Sequence, residues 1–230
     1  MASPKYRRAS HVIFDMDDLL LNTEDIYTSA FQNICSPHKK EYTWEVKVMT
    51  MGQKIATAAQ IVIDQLGLPL TVAQFIEQLD VQLEELFSKS QLLPGAEKLV
   101  GHLVRHQIPV ALCTGSSTKA YEAKTSHHSG FFRSFRPKVL CSDDPEVTRG
   151  KPDPDAYEVT LRRFEGAVPA PGECLVFEDS MNGVLSAVGA GMQCVMVPDE
   201  RLRDERMSEA TLVVKSLLDF VPEEFGLPAY

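Results

Sequence analysis

Two aspartates two residues apart, Asp15 and Asp17 in FDMDD, close the first apolar run of the chain. Side chains alternate along an extended segment, so both carboxylates leave on one side and Met16 on the other. Oxygen donors of this kind suit a hard cation. Mg²⁺ takes oxygen ligands octahedrally, keeps some of its waters and commonly completes its shell with a substrate phosphate. A second acidic pair, Glu178 and Asp179 in LVFEDS, ends another apolar run. In LCTGSS the Thr114 hydroxyl and the backbone amides around Gly115 and Ser116 can hold phosphate oxygens at a helix N-terminus, with glycine permitting close approach. Lys151 in RGKPDPD precedes a proline that biases it towards extended backbone, and its ammonium is a point charge suited to a phosphate or a crowded carboxylate cluster. The residues alone leave three roles open for Glu178: binding metal, binding it through water, or holding Lys151.

These groups need a scaffold that brings distant segments to one edge. Five short apolar runs, His11 to Asp15, Val110 to Thr114, Val139 to Cys141, Leu175 to Glu178 and Cys194 to Val197, have the β-branched content and turn-like flanks of buried parallel strands. Helical patterns lie between most of them. Ala96, Leu99, Val100 and Leu103 share one face, and Ala156 to Phe164 follows Asp153 as N-cap with Pro154 at the first helical position. The alternation predicts a Rossmann-like, doubly wound α/β fold with a parallel sheet. Roughly 90 residues separate the first two strands, where a dozen or so would make a crossover. The excess reads as a helical insertion. Ile26, Ala30, Phe31 and Ile34 form one stripe, Ile55 to Leu66 a second, and Val72, Phe75, Ile76, Leu79, Leu83 and Leu86 a third, which opens with a capping box of Thr71 and Gln74. The expected domains are a core of residues 1–22 and 90–230 and a cap of residues 23–89, a candidate lid over the carboxyl ends of the strands, where open α/β sheets bind ligands.

The 230 residues carry 23 basic and 32 acidic side chains, a formal net charge of −9, with no basic stripe of the kind that tracks nucleic-acid phosphates. Lys5, Arg7 and Arg8 are not followed by the apolar run and cleavage site of a secretory signal, and no stretch approaches the ~20 apolar residues of a membrane span. A cytoplasmic, monomeric protein is expected, with neither nucleic-acid polymer nor membrane as partner. Five scattered cysteines, mostly inside apolar runs, read as core residues rather than a disulfide framework. His102 and His106 lack the glutamate of a zinc-protease helix and read as residues flanking the surface. Trp44 reads as a packing contact within the insertion.

FDMDD, CTG, GKPDPD and FEDSMNG occur in an order and spacing that resemble the haloacid dehalogenase superfamily, over essentially the whole chain and with a helical insertion like that family's C1 cap. The resemblance implies Asp15 as nucleophile forming an aspartyl-phosphate, Asp17 as general acid and base, Thr114, Gly115 and Lys151 as phosphate binders, and Mg²⁺ held by Asp15, Asp179, Glu178 and the Asp17 carbonyl. It implies a phosphomonoesterase acting on a small phosphorylated metabolite, a nucleotide or sugar monophosphate; a phosphomutase is the alternative within the family. Gly52, Gln53 and Lys54 in the cap are candidate substrate contacts or a plain connecting loop. One residue departs from the pattern: Asp18 stands where the family has glycine. A left-handed backbone there would cost a non-glycine residue roughly 1–2 kcal/mol, and an inward carboxylate about 6 Å from Asp15 would add about 3 kcal/mol of repulsion at an effective dielectric near 20. That departure raises a different class of function, a binding or regulatory protein with impaired turnover.

Overall fold

The computed structural model describes residues 4–50, 53, 55–202 and 205–230. Among these, six parallel strands form one sheet: β1 (His11–Phe14), β2 (Val110–Thr114), β3 (Lys138–Leu140), β4 (Cys174–Glu178), β5 (Gln193–Met196) and β6 (Leu212–Val213), in the order β3-β2-β1-β4-β5-β6. The predicted doubly wound α/β class is what the structure has. β1 is central, with Phe14 registered against Leu112 on one side and Phe177 on the other. Both faces of the sheet are covered. Val12, Phe14, Leu112, Leu175 and Phe177 pack on one face with Leu99, Leu103, Phe220 and Phe225, while Ile13, Cys113, Val176 and Cys194 face Tyr157, Val184 and Ala187 on the other. This period-two division is the reason the strands read as continuous apolar runs. Each large side chain buried in this way contributes roughly 1.5–3 kcal/mol.

The chain divides into two compact units, Met1–Leu21 with Leu92–Tyr230, and Asn22–Gln91. The second contains α1 (Glu24–Cys35), α2 (Trp44–Thr50), α3 (Ile55–Leu66) and α4 (Val72–Phe87). The predicted stripes supply its core, with Ala30, Phe31, Ile34, Phe75, Leu79 and Leu83 buried. The capping box at α4 forms: the Thr71 amide donates to Gln74 Oε1 at 2.9 Å, and the Gln74 amide donates to Thr71 Oγ1 at 3.2 Å. Trp44 is half-buried, with the Lys47 ammonium 5.7 Å from its ring centre.

The sheet unit carries α5 (Ala96–Arg105), α6 (Thr118–Thr125), α7 (Ser129–Phe132), α8 (Asp155–Arg162) and α9 (Met181–Gly189). α8 begins later than the sequence suggests: Pro154 occupies the cap position rather than the first turn, and the Asp155 carboxylate ties back to the Arg149 amide at 3.1 Å. β6 is two residues long, too short to show a period. His102 does not flank the surface. It is buried, its Nε2 lies 2.9 Å from the Pro228 carbonyl oxygen and its ring packs on His106 and Tyr230, because the C-terminal segment returns over α5. All five cysteines are free thiols, with only Cys141 short of full burial. No helix among the described residues is long and apolar enough to cross a membrane.

Candidate active site

Asp15 follows the last residue of β1, its amide still bonded to the Phe177 carbonyl at 3.0 Å, so its carboxylate stands where the central strand leaves the sheet. β4 delivers Glu178 and Asp179 beside it. Oxygens from Asp15, Glu178 and Asp179 lie within 4.8 Å of one another. Lys151 bridges this group: its ammonium is 2.6 Å from Asp15 Oδ1, 2.6 Å from Glu178 Oε1 and 2.9 Å from the Cys113 carbonyl. The Lys151–Pro152 peptide is cis.

Glu178 is fully enclosed, and both of its oxygens accept hydrogen bonds. Oε1 takes the Tyr157 hydroxyl at 2.5 Å besides Lys151, and Oε2 faces the Ser180 hydroxyl at 3.3 Å. A buried carboxylate survives only with such partners. Ser180 also caps α9 by accepting from the Gly183 amide at 3.2 Å. Gly183 leaves the room in which Glu178 sits, since a Cβ there would fall 1.8 Å from the Glu178 carboxyl carbon.

Three carboxylates against one ammonium leave the cluster short of positive charge. Burial pushes Asp15 up to about 7; Lys151 opposes that rise, while Glu178 and Asp17 add to it. Burial also pushes Asp179 well above the usual carboxylate range, helped by Glu178, Asp15 and Asp18. Burial disfavours the charge on Lys151, yet Asp15 and Glu178 hold it well above its ordinary value. Oxygen donors this close, with excess negative charge, fit a small hard cation.

Asp17 turns to different partners. Its Oδ2 accepts from the Ser116 hydroxyl at 3.0 Å and the Thr114 hydroxyl at 3.3 Å, and its Oδ1 takes the Lys124 ammonium at 2.6 Å. Thr114 is buried at the end of β2, its oxygen also accepting from the Ser116 amide at 3.2 Å. Gly115 is exposed, and a Cβ on it would meet nothing within 4 Å. The structure thus brings Asp15, Lys151, Glu178 and Asp179 into one cluster and Asp17 and Thr114 into another, both at the carboxyl ends of adjoining strands. In the other unit Gln53 is exposed, its amide donating to Thr50 O at 3.1 Å; Gly52 and Lys54 lie outside the described residues.

Asp18 has φ 58°, the left-handed conformation that explains why glycine suits the position. Its amide donates to the Leu21 carbonyl at 2.8 Å, closing the turn after β1. Its charge acts on Asp179, though behind burial, Glu178 and Asp15. Relief of the left-handed strain, about 1–2 kcal/mol, is partly offset by the roughly 0.5–1 kcal/mol entropic cost of glycine, so Asp18→Gly should raise the thermal midpoint by no more than a few degrees. A fall in that midpoint would contradict the strain argument.

From the sequence alone, Lys124, Tyr157 and Ser180 are given no role in the site. Lys124 shares the inward face of α6 with Tyr121 and Thr125, and a lysine on such a face was the available signal.

Fold and site define an α/β protein with a lysine-bridged acidic centre at the carboxyl edge of a parallel sheet. Residues 9–191 match the haloacid dehalogenase-like hydrolase family model. The chain is 45% identical over 230 residues, all of it and 99% of the relative, to the probable pseudouridine-5′-phosphatase of Drosophila melanogaster. It is 42% identical over 96% of its length to (DL)-glycerol-3-phosphatase 2 of Arabidopsis thaliana, covering 92% of that protein. The crystal structure of a HAD family hydrolase from Deinococcus radiodurans with bound phosphate and sodium superposes with a TM-score of 0.79 at 19% identity, over 96% of this chain and 99% of that one. The chain belongs to the haloacid dehalogenase-like hydrolases and is a phosphatase.

Proposed function

We propose that the chain hydrolyses a small phosphomonoester through a phosphorylated Asp15, with Mg²⁺ as cofactor. The observation that carries this reading is Lys151 set 2.6 Å from both Asp15 and Glu178, next to Asp179. An Asp15 oxygen attacks phosphorus; the new O–P bond forms as the ester O–P bond breaks, and Asp17 gives its proton to the leaving oxygen. Asp17 then takes a proton from water, whose oxygen attacks the same phosphorus, releasing inorganic phosphate and restoring the Asp15 carboxylate. Thr114, the amides at Gly115 and Ser116, and Lys151 hold the phosphoryl oxygens. Asp15, Asp179 and the Asp17 carbonyl would hold Mg²⁺, which when bound supplies positive charge for the carboxylates and the phosphoryl group. Glu178, with its hydrogen bonds to Lys151, Tyr157 and Ser180, holds Lys151 in place. The core is proposed to be residues 1–22 and 90–230, and the helical insertion of residues 23–89 to set substrate preference.

Relatives of nearly equal identity are named for a nucleotide and for glycerol 3-phosphate, so the substrate is proposed at the level of a small nucleotide, polyol or sugar phosphate, with pseudouridine 5′-monophosphate the first to try. The test is phosphate release from a panel of such esters, with Mg²⁺ and with chelator, by wild type and Asp18→Gly. Metal-dependent release by wild type is expected. Phosphate moved to a second position on a sugar without release would indicate a mutase, and activity appearing only in Asp18→Gly would indicate a binding protein with impaired turnover.

The charge imbalance gives a separate check on the metal. With an ordinary value of 3.8 and a folded value of about 7, Asp15 is ionised in the unfolded chain before it is ionised in the folded one. Its contribution to stability in metal-free protein is therefore full below about 4, falls as pH rises to about 7, and is flat above. Mg²⁺ should raise the thermal midpoint more at pH 8 than at pH 5, by several degrees at saturating concentration. An unchanged midpoint at pH 8 would remove Mg²⁺ from this site.

A further inference from the structure

Lys124 carries an ammonium into a place where its side chain is 1% exposed, a costly location for a charge without partners. Two of its partners belong to the reaction's machinery: Asp17 Oδ1 at 2.6 Å and the Ser116 hydroxyl at 2.9 Å. Ser116 in turn donates to Asp17 Oδ2 at 3.0 Å, so the carboxylate is gripped at both oxygens by one linked set of donors. The Asp17 side chain, 28% exposed, opens on solvent, whereas Lys124 does not. Lys124 therefore holds Asp17 from behind and has no route to a substrate oxygen of its own. α6 fixes the lysine: Ser117 caps its N-terminus by accepting from the Ala120 amide at 3.2 Å, and Lys124 sits two turns on.

We infer that Lys124 is a positioning residue for Asp17, fixing the plane and reach of the carboxylate that protonates the leaving oxygen. This rests on the acid–base reading of Asp17. A freely rotating carboxylate would spend little of its time within proton-transfer distance, and proton transfer by a positioned group contributes about 10²–10⁴-fold. The loss on removing Lys124 should therefore depend on how much the leaving group needs a proton. An alkoxide needs one; a nitrophenolate leaves without it.

The experiment compares kcat/KM, which reports the first phosphoryl transfer, for p-nitrophenyl phosphate and for the best aliphatic ester of the panel. The proteins are wild type, Lys124→Met, Asp17→Asn and the double variant, each with its thermal midpoint measured. Lys124→Met should lose about 30-fold or more with the aliphatic ester and under about threefold with the aryl ester, and should cost nothing further on top of Asp17→Asn. Equal losses with both esters, or losses that add in the double variant, would overturn the inference and leave a structural lysine. Should Asp17→Asn itself spare the aliphatic ester, the acid–base reading of Asp17 fails instead, and the inference with it. If Lys124→Met does not fold, Lys124→Gln, which keeps a donor in the same space, carries the same comparison.

Discussion

Asp15→Asn is expected to lower phosphate release by about four orders of magnitude or more while leaving the protein folded. The substitution is nearly isosteric, but an amide oxygen is a far weaker nucleophile than a carboxylate and cannot give the acyl phosphate. Lys151 keeps Glu178 at 2.6 Å and the Cys113 carbonyl at 2.9 Å, so its charge stays compensated. Burial already disfavours the ionised form of Asp15, and a neutral group there should hold or raise the thermal midpoint at neutral pH. Two measurements decide the matter: single-turnover trapping of radiolabelled phosphate on the chain, expected for wild type and absent from the variant, and the midpoint itself. Turnover by Asp15→Asn within tenfold of wild type would sink the covalent mechanism.

Gly183→Ala should be the most damaging one-carbon addition in the sheet unit. The new Cβ would sit 1.8–2.0 Å from the Glu178 carboxyl atoms, and Glu178 cannot swing aside, because it is fully enclosed and bonded to Lys151, Tyr157 and Ser180. Either α9 shifts, at the roughly 1–3 kcal/mol typical of overpacking, or Glu178 leaves Lys151, at the roughly 3–5 kcal/mol of a broken buried ion pair. An intermediate cost of about 3 kcal/mol corresponds to a fall of about 6–12 °C for a domain of this size. Activity should fall with it, by about a hundredfold, since Lys151 would lose one of its anchors. A midpoint within 2 °C of wild type, on the precision of such measurements, would show that the helix start yields more easily than the hydrogen bonds around Glu178 imply.

The parts of this site that could be read in the sequence are those fixed by strand ends. Asp15, Thr114, Glu178 and Asp179 lie at or just past the last residue of a buried apolar run, and such runs announce themselves because both faces of a parallel sheet are covered. Lys151 was legible through its acidic and proline neighbours. Side chains that reach the site from helix faces were not: Tyr157 looks like one more core aromatic of α8 until its hydroxyl is seen on Glu178, and Lys124 looks like a surface lysine until α6 is laid against Asp17. His102 was misread for a related reason, since what buries it is the distant C-terminal segment and not its own helix. The conformation of Asp18 followed from the residue type that usually stands there, while the direction of its charge, towards Asp179, required the turn itself.

The central place of β1 also has a consequence for how the protein is made. Val12 pairs with Val110 on one side and Leu175 on the other, so the strand that carries the nucleophile is the first of the six synthesised and gains its second neighbour only after β2 and β3 are made. The helices of residues 22–91 meet mostly partners close by in sequence and can consolidate while the ribosome is still adding β2. The apolar HVIF segment has to wait for β4 with one hydrogen-bonding edge open after β2 has paired the other. Dependence on chaperones should therefore concentrate on this one strand, and a chain halted before Cys174 would lack one of the two partners of β1 and two of the three carboxylates of the acidic centre.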